Sequence, residues 1–202
     1  MSDVKHFDPE VALDAVVRLF WQRGAASTGV QDVVAATGIS RSSLYATFGG
    51  KQELYLSALR RYVQEQSRPV FARLAGDGRG LTSISEFFDG LIEARCAGAH
   101  ARWGCMVSNA HLGAEGGDPD VRHILSAHHD QLHAALRAAL ETARLRPGVD
   151  LDATAEQLAL LAYGVNLRSR SGADATSLRA AVAAALDALH NHDTTKETSG
   201  HG

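Results

Sequence analysis

The sequence predicts an all-α chain, on three observations. Apolar residues recur three and four apart along most of its length, the period of helices packed on one side. No segment sustains the alternation of a half-buried strand, and glycine and proline gather at a few breaks. With 202 residues, 45% of them hydrophobic and 21% charged, the chain can bury a core and is expected to be globular, not disordered.

The elements follow in order. Ala12, Val16, Leu19 and Phe20 share one face of a helix over about residues 9–23. Thr28, with Gln31 three positions on, reads as a capping box for a helix reaching about Thr37. Gly38 takes a tight turn, and Ser40 caps a third helix that ends at Gly49 and Gly50. Lys51 opens a long helix with Leu54, Tyr55, Ala58 and Tyr62 on one side, which Pro69 kinks or restarts. The glycine-rich run 76–80 lacks phosphate-loop spacing and a preceding strand, so it reads as a plain loop. Ser83 and Glu86 form a second capping box ahead of Phe87, Phe88, Leu91 and Ile92. Breaks at Gly104 and at 113–117 lead to long helices over about 119–144, 152–169 and 176–190, and the polar tail 191–202 is expected to be disordered.

Charge and composition exclude several classes. Net charge is -3, and through Arg61 seven Lys and Arg face six Asp and Glu, so no basic domain advertises nucleic acid. No run of eighteen apolar residues exists, and the N-terminus carries acid where a signal peptide needs an apolar core. A soluble, cytoplasmic protein without a membrane partner is expected. Two cysteines are too few for a disulfide scaffold and fit a reducing compartment.

Function is carried by residues 29–47, a short apolar-faced helix, a turn on Gly38 and a second short helix opening with Arg41, Ser42 and Ser43. That is the pattern of a helix-turn-helix whose second helix enters the major groove. Val30, Val33, Val34, Ile39, Leu44 and Phe48 are placed to hold the pair against the first helix. From Phe20 and Gly24 through T-G-V-Q-D-V-V-A-A-T-G-I-S-R-S-S-L-Y-A-T-F-G-G-K-Q-E-L, the chain resembles the TetR family of bacterial transcriptional regulators. The Leu-Tyr-x-x-Phe-x-x-Lys continuation makes the resemblance specific.

The resemblance implies a three-helix DNA-binding domain over residues 1–50 and a helical effector-binding and dimerisation domain over 51–190. It implies a homodimeric repressor on a palindromic double-stranded DNA operator, released by a small-molecule effector, and no enzyme. Arg41, Ser42 and Ser43 would face base edges, with Arg41 able to make a bidentate contact to guanine. Tyr45 and Lys51 would meet phosphates, as would Thr47, where family members often carry His. The helix N-termini at Thr28 and Lys51 would add backbone donors.

In the C-terminal part, Leu158, Leu161 and Val165, and Leu178, Val182 and Leu189, form alanine-rich stripes that suit either a four-helix dimer interface or an intramolecular core. Phe88, Trp103, Met106, Asn109, Tyr163 and Asn166 are candidates to line an effector pocket. Cys105, after Gly104 and near a helix start, is either an oxidant- or electrophile-sensing thiol or a buried inert one. A Cys–His enzyme built on Cys105 has no supporting signature. His129 and His133 lie one helical turn apart but lack a clear third ligand, so neither metal nor cofactor is expected.

Overall fold

The computed structural model describes residues 7–190. Ten α-helices carry the described chain, with one isolated bridge between Leu145 and His190. Helix α1 (Pro9–Arg23) starts where Asp8 accepts a bond from the Glu10 amide and Pro9 fills the first helical position. Helices α2 (Val30–Thr37) and α3 (Arg41–Phe48) form the helix-turn-helix. Between them Gly38 sits at φ +70°, the left-handed conformation a side chain would strain. Ser40 accepts a bond from the Ser43 amide and so caps α3 as predicted.

Helix α4 (Lys51–Tyr62) runs into a π-helical turn over Val63–Ser67, and α5 (Arg68–Gly76) continues from it with Pro69 in its first turn. The α-helix thus restarts at Arg68 with Pro69 in its first turn, where a missing amide donor costs least. The π-helical turn immediately precedes that restart. Helix α6 (Leu81–Cys96) has Gly80 as its N-cap, three residues before the expected Ser83 cap. Glu86 cannot complete a box there because its carboxylate binds Arg79 across the preceding loop. Short α7 (Met106–Leu112), a 3-10 turn over Ala114–Gly117, and the long helices α8 (Pro119–Glu141), α9 (Leu151–Arg170) and α10 (Ala175–Asp187) complete the order. The expected disordered tail, 191–202, lies outside the described residues.

Two apolar cores hold these elements. The first joins Val16, Phe20 and Trp21 of α1, Val33, Leu44, and the Leu54–Tyr62 face of α4 to α7 and the start of α8. The second gathers Phe71, Ile84, Phe88, Ile92, Leu136 and Leu140 with the inner faces of α9 and α10. The stripe expected as a dimer interface belongs to this second core. Leu158, Val165, Leu178, Val182 and Leu189 are buried within one chain, and Leu161 packs half-buried against them. The outward face of α9 lies two residues out of phase, about 200° round the helix, and carries Leu160 (58% exposed) and Leu167 (45% exposed). Phe88, fully buried, is expected to cost about 3–5 kcal/mol of unfolding free energy when cut to Ala, read by denaturant titration.

Candidate functional site

The first turn of α3 stands clear of the protein. Arg41 and Ser42 are exposed and Ser43 is half-buried. Ser40 Oγ lies 2.9 Å from Ser42 Oγ and 3.0 Å from Ser43 Oγ, so the polar triplet forms one hydroxyl cluster around the cap. The Arg41 guanidinium lies over the Tyr45 ring, 5.2 Å from its centroid, which fixes the direction of the arginine at the helix tip. Tyr45 is half-buried against the first core, and Thr47 is exposed. Lys51 opens α4, whose start is capped by Glu53 accepting from the Gly50 amide at 2.8 Å. Arg41, Ser42 and Thr47 are thus exposed along α3, and Lys51 is half-buried at the start of the next helix.

Thr28 does not belong to that surface. It is fully buried, and its hydroxyl donates to the Gly24 carbonyl at 2.7 Å. The cap of α2 is Gly29, whose amide donates to Asp32 at 2.7 Å, and Asp32 in turn pairs with Arg23 at 3.2 Å. The helix therefore starts one residue later than the Ser/Thr-x-x-Glu/Gln pattern predicts, and the bond to Gly24 turns Thr28 inward.

Behind the helix-turn-helix, α5, α6, α8 and α9 enclose a cavity of about 410 Å³. Tyr163 and Asn166 line it, and so does Cys105. The other four pocket candidates lie elsewhere. Phe88 is core. Trp103 packs edge-on against Trp21, with centroids 5.4 Å apart. Met106 and Asn109 line a smaller cleft between α1 and α7, where Asn109 donates to the Trp103 carbonyl at 2.8 Å.

The cavity wall also holds residues that spacing did not single out: Ser67, Arg95, Ser108 and His128. Arg95 had a visible signal, since it falls on the same face of α6 as Leu91 and Ile92, where a charge is out of place. His128 Nε2 lies 3.1 Å from Ser67 Oγ at the π-helical turn. Burial, with smaller repulsion from His111 and His129, depresses its pKa to about 4, so it is neutral at pH 7. A depressed folded pKa makes protonation favour the unfolded chain. Stability held above pH 6.5 is therefore lost as pH falls towards 4, by about 3 kcal/mol from this group. Thermal melts from pH 7 to pH 4 should show that loss, and His128→Gln should flatten it relative to the parent. Parallel curves for the two proteins would refute the assignment.

Cys105 is the N-cap of α7 and 5% exposed, beside the Tyr62 hydroxyl. No histidine hydrogen-bonds it among the described residues. His129 pairs with Glu156 at 3.0 Å and His133 contacts the Asp152 carbonyl at 3.2 Å. Among the described residues no group of three or more His, Cys, Asp or Glu could hold a metal ion.

A family model for bacterial regulatory proteins of the tetR family matches residues 12–58, which span the helix-turn-helix and the start of α4. The relatives and solved structures below match over most of the chain. Residues 12–58 are thus similar to the DNA-binding segment of tetR-family regulators, and the chain as a whole is TetR-like. It is 28% identical to the HTH-type transcriptional repressor ComR of Escherichia coli (strain K12), over 86% of this chain and 85% of that protein. Identity to the HTH-type transcriptional regulator YezE of Bacillus subtilis (strain 168) is 27%, over 94% and 100%. Among solved structures, a cysteine mutant of the TetR family regulator CifR, complexed with a 26-bp double-strand operator DNA, superposes with a TM-score of 0.80 at 26% identity, covering 92% and 99% of the two chains. Together these likenesses mark the chain as a TetR-like DNA-binding transcriptional regulator. Among the described residues no helix is long and apolar enough to cross a membrane.

Proposed function

We propose that this TetR-like regulator is a cytoplasmic repressor that binds a palindromic operator as a homodimer and lets go when a small molecule fills the 410 Å³ cavity. The observation that carries the reading is the exposed tip of α3 on a fold that superposes on an operator-bound regulator. Arg41, Ser42 and Ser43 read base edges, while Tyr45, Thr47 and Lys51 hold the phosphates that set register. Residues 1–50 read DNA and 51–190 sense and dimerise. The reading asks for no catalytic chemistry, and the burial of Cys105 favours a structural role for its thiol.

Dimerisation falls to the outward faces of α9 and α10. Of the large apolar side chains left exposed, Leu112, Leu160 and Leu167 wall one depression on that side. Ala181 and Ala184 of α10 and its cap residue Ala188 are exposed too, and small residues allow close helix approach. A two-fold axis there sets two recognition helices at the spacing of successive major grooves.

Helix α7 supplies the route from cavity to reading head. Cys105 and Ser108 wall the cavity, while the flanks of α7 grip α1. Trp21 Nε1 donates to the Gly104 carbonyl at 2.8 Å, Asn109 contacts the Trp21 carbonyl at 3.4 Å, and Glu115 accepts from the Ala26 amide. Gly104 is at φ +68°, and a Cβ there would come within 3.0 Å of Asn109 Oδ1, so this junction has no slack. An occupant that displaces α7 must drag α1, and by reciprocity it binds the DNA-free form more tightly. Fluorescence anisotropy of the protein on DNA from its own upstream region, beside scrambled DNA, tests the reading. Saturable preference for the upstream sequence is expected. Failure across a random-sequence selection as well would refute it.

A further inference from the structure

The cavity's charged groups are unevenly balanced, and the imbalance specifies what fills it. Four charged side chains line it: Arg73, Asp77, Glu86 and Arg95. Asp77 and Glu86 are both bound by Arg79, which donates to each of them. Arg79 offsets one of their two negative charges and occupies oxygens of both, and the four lining charges together with Arg79 leave a net positive charge. Arg95 is the opposite case. It is half-buried and has no carboxylate within ion-pair range among the described residues. Its Nε donates to Asn166 Oδ1 at 2.8 Å and its Nη2 to the Tyr62 hydroxyl at 3.1 Å, both neutral acceptors. Nη1 has no protein acceptor among the described residues. A half-buried guanidinium normally finds a carboxylate or phosphate, because its fork of donors matches two oxygens at once.

Two further observations agree. The hydroxyls of Ser108 and Tyr163, on residues walling the cavity beside Asn166 and Cys105, are buried and have no hydrogen-bond partner in the protein. Buried polar groups are rarely left so, and these can donate to an anion. The rest of the wall changes character along α6. From Arg95 back to Phe87 the helix spans about 12 Å. Over that length the cavity is bounded by Phe71, Leu74, Phe87, Leu91 and Leu132, with open space beyond the Gly90 Cα. A polar cationic end and an apolar barrel describe an amphipathic guest.

We propose that the effector is a small organic acid of medium chain length, its carboxylate bound by Arg95 with Ser108 and Tyr163 and its apolar body lying along α6 past Gly90. The proposal rests on the effector-released repressor reading. Arg95 also explains how such a guest would be felt. The same guanidinium lies 5.5 Å from the Trp21 ring centroid and holds Tyr62 at the end of α4. A carboxylate that draws the guanidinium towards itself loosens both contacts, one on α1 and one on the helix that carries the reading head.

The test is calorimetric titration of the whole protein with octanoate, 1-octanol and octylamine, three probes of one chain length and different head charge. Octanoate is expected to bind about tenfold or more tighter than 1-octanol, with octylamine weakest. Arg95→Gln should bring the octanoate-to-octanol ratio close to one, and Arg95→Lys should keep a preference of the same sign. Gly90→Leu, which fills the barrel and leaves the head group, should weaken octanoate and octanol together. Equal or tighter binding of the alcohol or the amine by the parent protein overturns the proposal, as does binding of none of the three. A carboxylate preference that survives Arg95→Gln overturns it too. Anisotropy on operator DNA without probes, run on the same preparation, separates this failure from failure of the regulator reading. A protein that holds its operator yet ignores octanoate is a repressor for a different guest.

Discussion

Replacing Leu160 and Leu167 together by Glu is expected to leave a folded monomer that no longer holds operator DNA. Both side chains are exposed in the single chain and take no part in either core, so the fold loses little when they become charged. Across a two-fold axis, however, each Glu would be buried against its symmetry mate's apolar face without a partner, which few interfaces survive. Light scattering should show half the parent mass, with the melting temperature close to the parent's. Operator affinity should fall about 10²–10⁴-fold, because the second half-site is no longer delivered at high effective concentration. The contrast is Leu158→Ala on the inner face of the same helix. It should cost about 2–5 kcal/mol of fold stability and leave the assembly of whatever remains folded unchanged. A double Glu variant that stays dimeric would move the interface off this face.

That pair of leucines shows where sequence reading reached its limit. Leu158 and Leu160 sit in the same alanine-rich helix, and the hydrophobic period picks out both sides of it. Which side meets the chain's own α6 and which meets a second copy is a tertiary choice with no local signature. The helix-turn-helix was legible for the opposite reason. A serine at a cap and a glycine at a left-handed turn are chosen by backbone geometry within a few residues, and Ser40 and Gly38 behave accordingly. Thr28 shows how narrow such signals are. A side-chain bond to Gly24 moved the helix start by one residue and took a proposed DNA contact into the interior. The cavity was half legible. Tyr163 and Asn166 announce themselves as polar residues among apolar ones, whereas Ser67 and His128 meet only because a π-helical turn brings residues 61 apart in sequence within hydrogen-bond range.

The largest effect on sequence discrimination is expected from Arg41→Ala. A bidentate arginine–guanine contact discriminates by about 1–3 kcal/mol, and a homodimer on a palindrome makes it twice, so about 2–6 kcal/mol is at stake. Its placement supports an effect towards the upper end. The guanidinium is already stacked over Tyr45 at 5.2 Å, so less side-chain freedom is lost when it meets a base than for a free arginine. Charge loss alone would weaken binding to every sequence, so the decisive comparison is between substitutions. Lys51→Ala removes a phosphate contact, which should weaken operator and scrambled DNA alike and lower the salt slope by about one per half-site. Arg41→Lys keeps the charge and loses the fork of donors. It should hold the affinity for scrambled DNA near the parent value while the operator preference collapses nearly as far as in Arg41→Ala. If Arg41→Lys instead retains the full preference, the arginine is a phosphate anchor. Base reading would then pass to the Ser42 and Ser43 hydroxyls, whose shared cluster with Ser40 leaves them fewer free donors.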